Sequence, residues 1–199
     1  MLTKLIAGLA IYHGVHLIPT LQTLRTNLIA RFGAGGYKAL FTLLSFVGLA
    51  LIIWGYADTR TLGRANPQLW VSPPWTKHIA FLLMLPVFIL LAASNIPSRI
   101  RTATKHPMLL AIKLWALAHL LVRGDLASVL LFGSFLAYAV YDRISVKKRG
   151  ALGPLGNRTG DTKGDILAVS IGLAVYALTL VWAHGALIGV PLVRLATAP

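Results

Sequence analysis

The sequence predicts an all-α fold, a polytopic transmembrane helical bundle of about six spans forming one domain over residues 1–199. Three observations carry that expectation. Of the 199 residues, 57% are apolar, and the mean hydropathy is +0.75. Only 12% are charged, about half the ~25% of an average soluble domain, too few to cover so much apolar surface in water. The apolar residues also gather into runs of crossing length, since a hydrocarbon core of about 30 Å takes roughly 20 helical residues.

The expected spans are residues 2–21, 37–57, 76–94, 107–122, 126–146 and 165–188. The first begins MLTKLIAGLAIYHGVHLIPTLQTLR, signal-like over its opening ten residues only. His13 and His16 then interrupt the apolar region and no small-x-small cleavage site follows, so it reads as a retained span. The loop after it ends on Gly33, Gly35 and Gly36. Pro67, Pro73 and Pro74 fill the second loop, and Pro97 follows span three. Pro107 suits the first turn of span four, which is short at about 24 Å. Arg123-Gly124-Asp125 alone separates spans four and five, which predicts a tight helical hairpin. Asp125 and Asp165 are the expected helix caps. Residues 147–164, KKRGALGPLGNRTGDTKG, form the longest polar loop and are expected to be mobile.

The net charge is +14, from 19 Lys and Arg against 5 Asp, with no Glu. The cations sit in short segments between apolar runs, a membrane pattern rather than a nucleic-acid patch. Loops after spans one, three and five hold 12 of them, Arg25, Arg31, Arg99, Arg101 and Lys105 included; the other side holds 6, including Arg60, Arg64 and Arg194. That bias predicts a multi-pass inner-membrane protein with both termini periplasmic. The absence of Cys excludes disulfides, thiolate catalysis, iron–sulfur clusters and Cys-based zinc sites. Trp54, Tyr56, Trp70 and Trp75 read as an aromatic belt, Met84 as packing, and His78 as an exposed residue at a helix start.

Ionisable groups within a span are costly unless they are paired or functional. Span one carries His13 and His16, three apart on one face, with Gly14 between them leaving room for a flat ligand or a close helix. Span four carries Lys113 and His119, with His106 at its start, and span six carries His184. The only carboxylate inside a span is Asp142, so a carboxylate proton relay is not expected. His106 and His119 lie 13 residues apart, a net rotation of about 220° that sets them on nearly opposite helix faces. Two readings follow: histidines from two spans clamp a metal or heme iron, or they hydrogen-bond across helices. With centred spans, His16 falls about 6 Å to one side of the midplane, His119 about 8 Å to the other, and His106 about 12 Å to the same side as His16. Depth alone therefore pairs His16 equally well with His106 or His119.

The residues resemble the NnrU family of bacterial membrane proteins over nearly the whole chain. The likeness rests on GVHLIPTLQTLR, LWVSPPW, KHPMLLAIKLWALAHLL, GDLASVLLFGSF and the His-x-x-Leu-x-Gly at His184 to Gly189. The resemblance implies a link to denitrification, through production or maturation of nitrite and nitric oxide reductases. The family is also similar to plant zeta-carotene isomerase, a heme b membrane enzyme in which iron redox state gates a cis-to-trans isomerisation. That similarity implies heme b with His16 and His119 as iron ligands and His106 as an alternative ligand. It leaves catalytic residues unassigned and suggests a heme-dependent, isomerase-like reaction on a hydrophobic small molecule. The isomerase has a Cys three residues before the His119 position where this chain has Ala116, so any role of that Cys does not carry over. A non-enzymatic accessory factor for denitrification proteins, with structural histidines, is the other expectation.

Overall fold

The structure, a computed structural model, describes residues 2–59, 66–153 and 155–193. Arg60, Arg64 and Arg194, counted above as loop charges, lie outside the described residues. The described residues form α1 (Thr3–Leu17), α2 (Gln22–Asp58), α3 (Thr76–Ala93), α4 (Arg99–Thr104), α5 (Pro107–Val122), α6 (Leu126–Lys148), α7 (Thr162–Leu178) and α8 (His184–Ile188). A π-helical turn, Thr179–Ala183, joins α7 to α8 into one 27-residue run. Among the described residues there is no strand, only two isolated bridges.

Four of these runs are long and apolar enough to cross a membrane: α2, α3, α6 and Thr162–Ile188. Their apolar side chains point outward, with Phe46 66%, Ile53 62%, Leu82 70% and Ile166 62% exposed. Water does not tolerate that much contiguous apolar surface, whereas lipid does. At 15 and 16 residues, α1 and α5 fall short of crossing length.

Three sequence expectations need correction. Span one was expected to continue to residue 21, but α1 stops at Leu17 and a 3₁₀ turn, Ile18–Thr20, follows at Pro19. The segment expected to be the first loop is helical, because residues 22–32 (QTLRTNLIARF) are mostly good helix formers. Only Gly33, at φ 71° and ψ 163°, breaks the run, a conformation open chiefly to glycine. Finally, Asp161 rather than Asp165 caps α7, accepting from the Gly164 amide at 2.8 Å. Asp125 caps α6 as expected, accepting from the Ser128 amide at 3.1 Å.

The chain falls into two compact units. The first comprises residues 1–77 and 119–150. Here α1 and α2 run antiparallel with their backbones in contact at glycines. A Cβ on Gly8 would sit 2.6 Å from the Ile52 nitrogen, and one on Gly48 would sit 2.8 Å from the Tyr12 nitrogen. Small residues that let helix backbones touch are the usual packing device in lipid. Segment 66–70 zips onto the turn before α6, with the Leu69 amide donating to the Gly124 carbonyl (2.7 Å) and the Leu126 amide to the Pro67 carbonyl (3.0 Å).

The second unit comprises residues 78–118 and 151–199. Val87 and Leu90 of α3 pack on Ala111 of α5, and Met84 and Trp115 close the cluster. Gly172 of α7 lies against the Ile89 backbone, and the Tyr176 hydroxyl donates to the Phe81 carbonyl at 2.9 Å. The polar loop before α7, expected to be mobile, is pinned instead. Arg101 is buried and donates to the carbonyls of Gly156 (2.7 Å) and Arg158 (3.0 Å). Asp165 accepts from Arg99 Nε at 2.6 Å and from the Ile100 amide at 3.1 Å.

Candidate functional site

The first unit gathers the intramembrane histidines of α1 and the last turn of α5 along one face of α6. Phe132, Phe135 and Tyr138 recur every three residues on α6, so they form a ladder of rings on one side. The His119 ring stacks on Phe132, with centroids 4.4 Å apart and planes 20° apart. His13 meets Phe135 edge-on at 4.8 Å and Tyr138 at 5.4 Å. His16 lies edge-on to Tyr138 at 6.1 Å and beside Phe41 of α2 at 5.1 Å. His119 and His16 thus occupy rungs six residues apart, about 9 Å along α6, and His13 takes the rung between them.

The hydrogen bonds fix which nitrogen each ring offers. His16 Nδ1 lies 2.7 Å from the Tyr12 carbonyl, which only accepts. Nδ1 therefore carries the proton and Nε2 holds a free lone pair, the arrangement that orients an imidazole for a metal. The Tyr12 ring stacks under His16 at 4.1 Å and limits its rotation. The Tyr138 hydroxyl donates to the His16 carbonyl at 3.2 Å, satisfying one of the orphan carbonyls at the end of α1.

His13 is held differently. Its Nε2 lies 3.2 Å from Ser134 Oγ, whose own proton goes to the Leu131 carbonyl at 2.9 Å. The imidazole is therefore the donor, protonated on Nε2. Its Nδ1 is buried and has no hydrogen-bond partner. A buried acceptor without a donor is uncommon and marks a site to explain. Sequence reasoning placed His13 beside His16 but did not choose it; the i, i+3 spacing was the signal.

The remaining expected residues distribute as follows. His106 belongs to the second unit, between α4 and α5, with its amide donating to the Thr104 carbonyl at 2.7 Å. His184 donates through Nδ1 to the Val190 carbonyl at 2.7 Å. His78 is exposed at the start of α3. Arg101, weighed above as a loop charge, is a buried clamp on two carbonyls. Of the aromatic belt, Trp54, Trp70 and Trp75 are exposed. Tyr56 turns inward instead, 2.8 Å from Ser128 Oγ and edge-on to Phe132. Gly14 faces open space, and a Cβ there would meet nothing within 4 Å. Among the described residues no group of three or more His, Cys, Asp or Glu could hold a metal ion.

These features define an α-helical integral membrane protein with histidines set into a ring-lined helix face. The chain belongs to the NnrU family: the family model described as NnrU protein matches residues 4–192. No curated protein and no solved structure matches the chain.

Proposed function

We propose that this is a multi-pass inner-membrane protein that binds heme b in its first unit, where His16 and His119 would hold the iron. The carrying observation is the Tyr12 carbonyl on His16 Nδ1, which leaves Nε2 as the free donor atom. The apolar runs support six spans, with α1 and α5 crossing as short ones, and the excess of Lys and Arg in the loops after spans one, three and five supports periplasmic termini. The family likeness supports heme and a role in denitrification or nitric oxide metabolism. Heme would supply a redox-active iron able to bind a small ligand or to polarise a double bond. The chain's own residues would orient and shield it. Tyr12 and Phe41 wall His16, and Phe132 backs His119. A hydrophobic small molecule arriving through lipid fits such surroundings.

The ordinary packing of the His119 ring on Phe132 and the Ser134 bond to His13 favour a second reading, a non-enzymatic accessory factor for denitrification proteins with structural histidines. Absorption spectroscopy of protein purified from heme-replete cells separates the two. A Soret band with stoichiometric heme supports the first reading. Folded protein without one overturns it, and loss of nitric oxide reductase activity in a deletion strain would then support the second.

A further inference from the structure

We propose that the C-terminal end of α6 holds the headgroup of an anionic phospholipid. Arg143, Ile144, Lys147 and Lys148 border an open surface depression of about 570 Å³. None of its three cations has an ion-pair or hydrogen-bond partner among the described residues. Asp142, on the same helix, pairs with Arg149 at 3.4 Å.

This depression continues an exposed apolar stripe. Val140, Tyr141 and Ile144 are 44%, 45% and 51% exposed, and Lys147 and Lys148 follow at i+7 on the same face. The helix has 23 residues, about 35 Å of length, which exceeds the ~30 Å hydrocarbon core. Asp125 starts it at a polar turn, so its last turns reach headgroup depth. Acyl chains would lie along Val140, Tyr141 and Ile144 with the phosphate among the three cations. Charge complementarity selects an anionic lipid over a zwitterionic one, and the apolar stripe beneath selects a lipid over a free anion.

Native mass spectrometry of the full chain in detergent, offered phosphatidylglycerol, phosphatidylcholine or inorganic phosphate, tests this. Wild type should retain phosphatidylglycerol preferentially. The triple variant Arg143→Gln/Lys147→Gln/Lys148→Gln should lose that retention by about tenfold or more. A control with equal charge removed, Arg25→Gln/Arg31→Gln/Lys38→Gln, should keep it. Equal loss in both variants would mean a general electrostatic field and overturn the site. So would equal retention of phosphatidylcholine by wild type, or binding of inorganic phosphate as tight as that of the lipid. If the triple variant fails to fold, Lys147→Gln/Lys148→Gln alters only exposed side chains. Undiminished retention there likewise overturns the proposal.

Discussion

His13 of α1 donates through Nε2 to Ser134 of α6 at 3.2 Å, and this bond leaves Nδ1 as a buried bare acceptor. Ser134 passes its own proton back to the Leu131 carbonyl, so the tautomer is set by helix–helix packing. Ser134→Ala is expected to strand the His13 N–H and cost about 1–3 kcal/mol. Ser134→Thr keeps an Oγ and should lose less. Thermal unfolding in detergent, followed by circular dichroism, measures both; equal stability of Ser134→Ala and wild type would contradict the bond.

If heme is bound as proposed, His16→Ala and His119→Ala should each abolish or shift the Soret band, while His13→Ala leaves its position unchanged. The three spectra side by side decide the ligand pair. Loss of the band in His13→Ala with retention in His16→Ala would move the ligand one turn up α1, to the nitrogen now without a partner.

The contact between α1 and α2 predicts opposite outcomes for two neighbouring glycines. A Cβ on Gly8 falls 2.6 Å from backbone of α2, whereas one on Gly14 meets nothing. Gly8→Ala should destabilise the protein by about 1–3 kcal/mol through overpacking. Gly14→Ala should be neutral or slightly stabilising, since alanine favours helix. Unfolding midpoints in a denaturing detergent titration compare the pair.

Asp125 makes stability depend on pH. Burial pushes its carboxyl up, but hydrogen bonds from Ser128 and Asn66 and the charge of Arg123 outweigh burial, so its pKa lies below the usual aspartate value. A carboxyl with a depressed folded-state value stabilises fully above its unfolded value and loses that contribution as pH falls through the folded one. Asp125→Asn should therefore be less stable than wild type at pH 7, and the gap should close below about pH 4. A gap that persists unchanged to pH 3 would assign the effect to shape rather than charge.

Arg101 should hold the loop before α7. Its guanidinium ties two carbonyls, those of Gly156 and Arg158. Arg101→Ala should cost about 2 kcal/mol and speed amide exchange and proteolysis across residues 155–160. Arg101→Lys should restore little, because an ammonium lacks the planar fork that spans both acceptors.

Most of the helical framework was legible in the sequence, because apolar runs in lipid leave the backbone only helical options at these lengths. The bounds of α5, the start of α6 and its Asp125 cap follow from Pro107, Arg123-Gly124-Asp125 and the run lengths. The helix at residues 22–32 was hidden because its charges read as a loop. The Asp161 cap was hidden because Asp161 and Asp165 both precede the apolar run, and only the reach of Arg99 to Asp165 separates them.

The sequence by itself determined the chain's class, its apolar helices, its excess of cations and the presence of histidines on the first and fourth runs. Periodicity and composition are local properties, and they suffice for these. The tertiary structure decided what each histidine offers: His16 a free Nε2, His13 a bare Nδ1, and His119 a face stacked on Phe132. A tautomer depends on which acceptor lies within about 3 Å, and for His13 that acceptor, Ser134, is 121 residues away in sequence. No local pattern encodes that distance.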